Sequence, residues 1–220
     1  MHRRVPAPHV ECYLVAVPML FLLSPARCGG VRAGQLARSS GELGVQLRTG
    51  TAPLGEVFAW LSALYFRGKL AYARAFAEPS PGAASALVMA PGLGLHPPET
   101  PISTAHLSAM GAIEVESEAF VTQLRADATR INAELRADTQ VVLLGSIASG
   151  KYVDTLIDVF GARLVFPAEF VGRGDMSRGG MMLRAARSGQ PLAYAMVAGA
   201  VRRGKRPPKL APIRVKVPRK

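Results

Sequence analysis

Four short apolar runs punctuate the chain: Met19 to Leu23, Leu87 to Met89, Val141 to Leu144 and Leu164 to Phe166. Each has the length of a buried strand, and each is closed by a Ser, Gly or Pro turn. Between them the period changes. Val57, Trp60, Leu61, Leu64, Leu70, Ala73 and Phe76 recur at near-helical spacing across 54–76, with Gly55 and Gly68 as weak points. Phe120, Val121, Leu124, Ile131 and Leu135 form a second stripe behind Ser117, a natural N-cap. Val153, Leu156, Ile157 and Phe160 form a third, ahead of Gly161 as C-cap. Strands alternating with helices predict a single three-layer α/β domain with a mostly parallel sheet.

The weaker stretches predict less. Residues 29–50 read as a helix broken near Gly41 and Gly44, and 90–98 as a rigid loop rich in Gly and Pro. Gly172 to Gly180 reads as a polar, glycine-rich loop followed by a short helix over 181–186, and 192–201 fits strand or helix equally. No internal repeat is evident.

The N-terminus needs a choice. Met1 to Arg4 followed by Tyr13 to Leu23 has the outline of a signal peptide, yet Pro18 interrupts the apolar run and Pro25 sits badly at a cleavage point. A membrane span needs about 20 apolar residues, so no membrane partner is expected. The preferred reading makes Met19 to Leu23 the first core strand and Met19 the functional start, with residues 1–18 an extension. The domain then covers 19–201.

Charge separates the remainder. Only 19% of residues are charged against 49% hydrophobic, which excludes general disorder. Residues 202–220 hold nine Lys and Arg and no acid, leaving the other 201 residues at +3 of a net +12. Four prolines keep this basic tail from forming a helix, so it is either a solvated arm or an attractor of phosphate polymers. Cys12 and Cys28 form no Cys-x-x-Cys pair, which points to no metal site, no disulfide framework and a cytoplasmic location.

Candidate chemistry lies in the loops after the strands, where open α/β sheets bind ligands. Gly145, Ser146, Gly150 and Lys151 fit most of the phosphate-loop pattern, but Tyr152 stands where a magnesium-binding Ser or Thr is required. The turn therefore serves the fold or binds an anion without hydrolysis. Arg173, Asp175, Ser177 and Arg178 lie among glycines, a pattern suited to clamping phosphate or to fixing the loop by an Asp-Arg pair. Asp175, the one carboxylate there, is the candidate catalytic acid or base. Tyr65, Arg67, Lys69, Tyr72 and Arg74 form a basic and aromatic group that reads as a solvated helix face or as a contact to phosphate and base. No serine or cysteine has a neighbour in sequence that marks it as an activated nucleophile. No cofactor is implied.

Met19-Leu-Phe-Leu-Leu-Ser-Pro-Ala-Arg27 resembles the opening of YaaA-family proteins, an apolar strand followed by a Ser-Pro-Ala-Lys loop. Tyr65 to Ala77, Leu87 to Pro98 with Thr100-Pro101-Ile102, and Gly145-Ser146 with Tyr152 resemble a set of bacterial domains distantly similar to YaaA and to the uracil-DNA glycosylase fold. The resemblance spans 19 to about 183. It implies a three-layer α/β domain with nucleic acid or nucleobases as partners. Arg27 replaces the family's lysine, keeping the charge but not the geometry. The glycosylase water-activating motif has no match, so that activity is not carried over.

These readings predict a nucleic-acid- or nucleotide-binding α/β protein using Ser24 and Arg27, Gly145 to Lys151, and Arg173 to Arg178, assisted by Tyr65, Arg67 and Lys69. An enzyme acting on a nucleoside or nucleic-acid base is the alternative, and a non-catalytic interaction domain the third. Loss of binding on deleting 202–220 is expected to separate bulk charge from a built site.

Overall fold

A computed structural model describes residues 17–77, 84–148, 150 and 152–210. Residues 1–16, including Cys12, lie outside the described residues, as do Lys151 and the tail from 211 onward. The four apolar runs form the centre of one six-stranded sheet. These are β1 (Met19–Leu23), β3 (Ala86–Ala90), β6 (Gln140–Leu144) and β7 (Leu164–Pro167), mutually parallel in the order β3-β1-β6-β7. Their side chains are almost wholly buried on both faces, which is why they read as continuous apolar runs without alternation. Antiparallel strands close the two edges, β4 (Gly94–His96) beside β3 and β8 (Tyr194–Met196) beside β7.

The connections run in opposite directions from β1. One passes through α1 (Val31–Arg38), α2 (Glu42–Thr49) and α3 (Leu54–Phe76) to β3; the next returns through α4 (Thr104–Gly111) and α5 (Glu118–Glu134) to β6, and α6 (Val153–Phe160) leads on to β7. Crossovers of one hand in opposite directions place their helices on opposite faces. Accordingly α3 packs with α7 (Asp175–Ser188) on one face, while α5 packs with α6 on the other. This is the three-layer α/β domain expected, supplemented by a small ribbon of β2 (Ala52–Pro53) and β5 (Pro101–Ile102). The chain order switches between β1 and β6, and their register is level. Leu23 pairs with Leu144, so Ser24 and Gly145 leave the sheet side by side. No helix among the described residues is long and apolar enough to cross a membrane.

Several local readings are corrected. Residues 90–98 are not all loop: a turn through Gly92 and Gly94, both at positive φ, folds Gly94–His96 back onto β3 as a hairpin. The break in 29–50 lies at Ser39 to Gly41, while Gly44 sits inside α2, where a Cβ would meet Ser39. Helix α3 bends at Ala63 (φ 48°, ψ −123°) and not at its glycines. Residues 192–201 contribute strand β8.

The largest correction concerns the glycine-rich segment. Helix α7 starts at Asp175 and runs through Gly179 and Gly180, because those glycines serve packing rather than a loop. A Cβ on Gly68 would lie 2.6 Å from the Gly179 carbonyl oxygen, and one on Gly179 would lie 2.6 Å from that of Leu64. The backbones of α3 and α7 therefore touch, and side chains flanking the contact are pressed together.

Candidate site at the carboxyl edge of the sheet

Lys69 is the charged side chain that this crossing buries most deeply. It is 1% exposed, and it reaches from α3 to the end of β1, donating to the Ser24 hydroxyl (Nζ to Oγ 2.7 Å) and to the Ser24 carbonyl oxygen (3.0 Å). The Tyr65 ring lies 4.0 Å from Nζ and the Phe66 ring 5.2 Å, so the cation rests on aromatic faces. Burial lowers the Lys69 pKa most; Asp175 pulls it back up and Arg178 pushes it further down, leaving it at about 7.

The other strand end closes the group. Tyr152, at the start of α6, turns inward and its hydroxyl donates to the Ser146 carbonyl (3.2 Å). A Cβ on Gly145 would meet both the Tyr152 hydroxyl oxygen (2.9 Å) and Ser24 Oγ (3.0 Å), which shows how closely the two strand ends converge. Burial raises the Tyr152 phenol, offset in part by the adjacent Ser24 hydroxyl. The tyrosine that breaks the phosphate-loop pattern thus ties the turn to itself.

Helix α7 supplies the third wall. Arg178 is buried and donates twice to the Phe170 carbonyl (3.2 Å each), with Asp175 3.4 Å from its other nitrogen. Tyr65 is also buried, and its hydroxyl has no hydrogen-bond partner. Desolvation raises its pKa, and Arg178, close but outside hydrogen-bond geometry, draws it partly back.

Of the sequence-predicted residues, Ser24, Tyr65, Lys69, Gly145, Ser146, Asp175 and Arg178 therefore meet in one cluster, at the point where the strand order switches. The basic and aromatic group on α3 divides. Tyr65, Lys69 and Tyr72 are buried, against the reading of a solvated face, while Arg67 and Arg74 are exposed. Arg67 lines a separate groove with Arg32, Glu56 and Trp60. Arg27 is exposed and lines a cavity of about 570 Å³ with Glu114 and Glu116, on the β3 side of β1.

A larger cavity, about 760 Å³, lies over the first turn of α7. Arg173, Asp175, Ser177 and Arg184 line it from the body, and Arg206 and Lys209 from the chain beyond β8. Arg202 to Leu210 is thus not a free arm. Arg203 donates to the Ala148 carbonyl (3.3 Å), Arg173 donates to that of Pro208 (3.1 Å), and Arg202 pairs with Asp154. The basic stretch crosses the same strand-end loops that carry the buried cluster. Deleting 202–220 would remove part of the edge along with the charge, so that deletion does not separate the two.

Comparison with known protein families, with curated proteins and with solved structures found no match.

Proposed function

We propose that the chain binds a nucleotide or a nucleic-acid strand along the carboxyl edge of its sheet. One observation carries this: two stretches on either side of β8, 173–184 and 206–209, bring Arg173, Arg184, Arg206 and Lys209 around a single cavity whose lining holds one carboxylate, Asp175. Cations converging from distant parts of the sequence over a helix N-terminus suit phosphate oxygens. The edge is also where open α/β sheets take ligands when the chain order switches. The resemblance to YaaA-like domains runs the same way, since Ser24, the start of Tyr65 to Ala77, and Gly145-Ser146 with Tyr152 converge on this edge. A cytoplasmic location fits such a partner.

The test is a salt-dependent titration of the full chain with single-stranded DNA, duplex DNA, RNA and mononucleotides. Arg173→Glu is expected to weaken binding about tenfold and to reduce the salt slope by about 1. Arg27→Glu, at the acid-balanced cavity, is expected to change affinity less than about twofold. Equal losses from both substitutions would show that bulk charge is responsible and would sink the proposal. The buried Ser24 and Lys69 contact favours a second reading, an enzyme acting on the bound nucleotide.

A further inference from the structure

We propose that Ser24 and Lys69 form a nucleophile and general-base pair that attacks a phosphorus centre of the ligand held at this edge. The choice of phosphorus rests on the polyanion reading above; the pair itself rests on its own geometry. Lys69 Nζ stands 2.7 Å from the Ser24 hydroxyl and is fixed there by its second bond, to the Ser24 carbonyl. The pair lies at the switch between β1 and β6. Beside it is the buried, unpartnered hydroxyl of Tyr65, a polar group that the protein leaves unsatisfied.

A lysine retained only as a tie is best kept charged beside a carboxylate, and this one has no ion-pair partner in contact. The groups facing it are Ser24 from the β1 loop, Tyr65 and Phe66 from its own helix, Tyr152 from the β6 loop, and Asp175 and Arg178 from α7. Of the charged groups among these Asp175 alone favours the ammonium, and burial outweighs it, so near neutral pH the amine form is present and can accept a proton. Serine and lysine pairs of this kind recur on unrelated folds as activated nucleophiles.

In the step inferred, Lys69 takes the Ser24 hydroxyl proton as the bond from Oγ to phosphorus forms. The bond from phosphorus to the leaving oxygen breaks, and that oxygen receives the proton from the Lys69 ammonium. Water then gives a proton to the same amine as its oxygen bonds to phosphorus, the bond from phosphorus to Oγ breaks, and the Lys69 ammonium returns that proton to Oγ as the phosphoryl product leaves. Tyr65 and Tyr152 are positioning residues.

The experiment exposes the full chain to a fluorophosphonate, from which Oγ displaces fluoride while Lys69 takes the proton. Intact mass and peptide mapping read the adduct. The expected result is one adduct on Ser24, formed faster as pH rises through about 7 and absent in Ser24→Ala. Lys69→Arg keeps a charge able to tie Ser24 but does not accept a proton, and it should label about 100-fold more slowly or worse. A native protein without an adduct on Ser24, or labelling that Lys69→Arg leaves unchanged, overturns the proposal. Labelling without nucleotide binding would keep the pair and sink the polyanion reading; binding without labelling would do the reverse.

Discussion

On the β3 side of β1, Arg27 shares its cavity with Glu114 and Glu116; on the β7 side, four cations line a cavity whose one acidic lining residue is Asp175. Both cavities open at the same edge, and they differ less in size than in charge. They also differ in how tightly their walls are joined. Gly29 approaches the Gly111 carbonyl so that a Cβ would lie 3.3 Å away, whereas the crossing of Gly68 and Gly179 leaves 2.6 Å. The tighter junction is the one that buries Lys69 and Tyr65 against Arg178. One half of the edge is thus a loosely built, charge-balanced cleft, and the other a cationic cavity backed by a tightly packed titratable cluster.

Substitution at the glycines breaks this contrast most directly. Gly68→Ala should gain up to about 1 kcal/mol of helix propensity and lose more by forcing α3 from α7, for a net loss of about 2 kcal/mol in chemical denaturation. Gly29→Ala should cost less than about 1 kcal/mol, because a few tenths of an ångström relieve it. Similar losses at the two sites would mean that the halves are equally tight.

A pH series sharpens the same contrast through Lys69. Its folded pKa, about 7, lies below its unfolded value near 10, so between those limits the unfolded chain holds the extra proton and stability rises with pH. Below about pH 7 both states are protonated and the burial penalty is constant. Burial moves Cys28 up to about 12 and raises Tyr65 and Tyr152, and these oppose the trend only above their unfolded values, from about pH 9 upward. From pH 7 to 9 the native protein should gain about 2 kcal/mol that Lys69→Met does not, by urea denaturation at each pH. Parallel curves would refute the buried, partly neutral lysine.

The smallest effect is expected at the bend in α3. Ala63 holds a positive φ that disfavours any side chain, so Ala63→Gly should relieve strain and stabilise by about 0.5 kcal/mol after its entropy cost. A loss of stability would show that the bend is held by the Ala63 side chain.

The sheet was legible because β1, β3, β6 and β7 are buried on both faces, and burial on both faces writes an uninterrupted apolar run. Helix α5 was legible because Ser117 caps it and one stripe packs inward. The first turns of helix α7, ahead of the short helix read over 181–186, were hidden, since Gly179 and Gly180 serve a close helix crossing and a glycine at a crossing looks the same as a glycine in a loop. Lys69 was misplaced for a related reason, being grouped with exposed Arg67 and Arg74 by its charge. A signal was available: Tyr65, Lys69, Tyr72 and Phe76 follow a four-three-four spacing, one helical face with a lysine inside an aromatic stripe. Its pairing with Ser24, 45 residues away, needed the fold.

The contact between Gly68 and Gly179 also shapes what mutation can repair. A bulky residue in a core is commonly rescued by shrinking its neighbour, but here both partners are already the smallest residue there is. Gly68→Ala therefore has no intragenic suppressor at position 179, and Gly179→Ala has none at 68. Revertants of either should fall at flanking positions such as Leu64, where a changed side chain lets the two helices slide instead of separate.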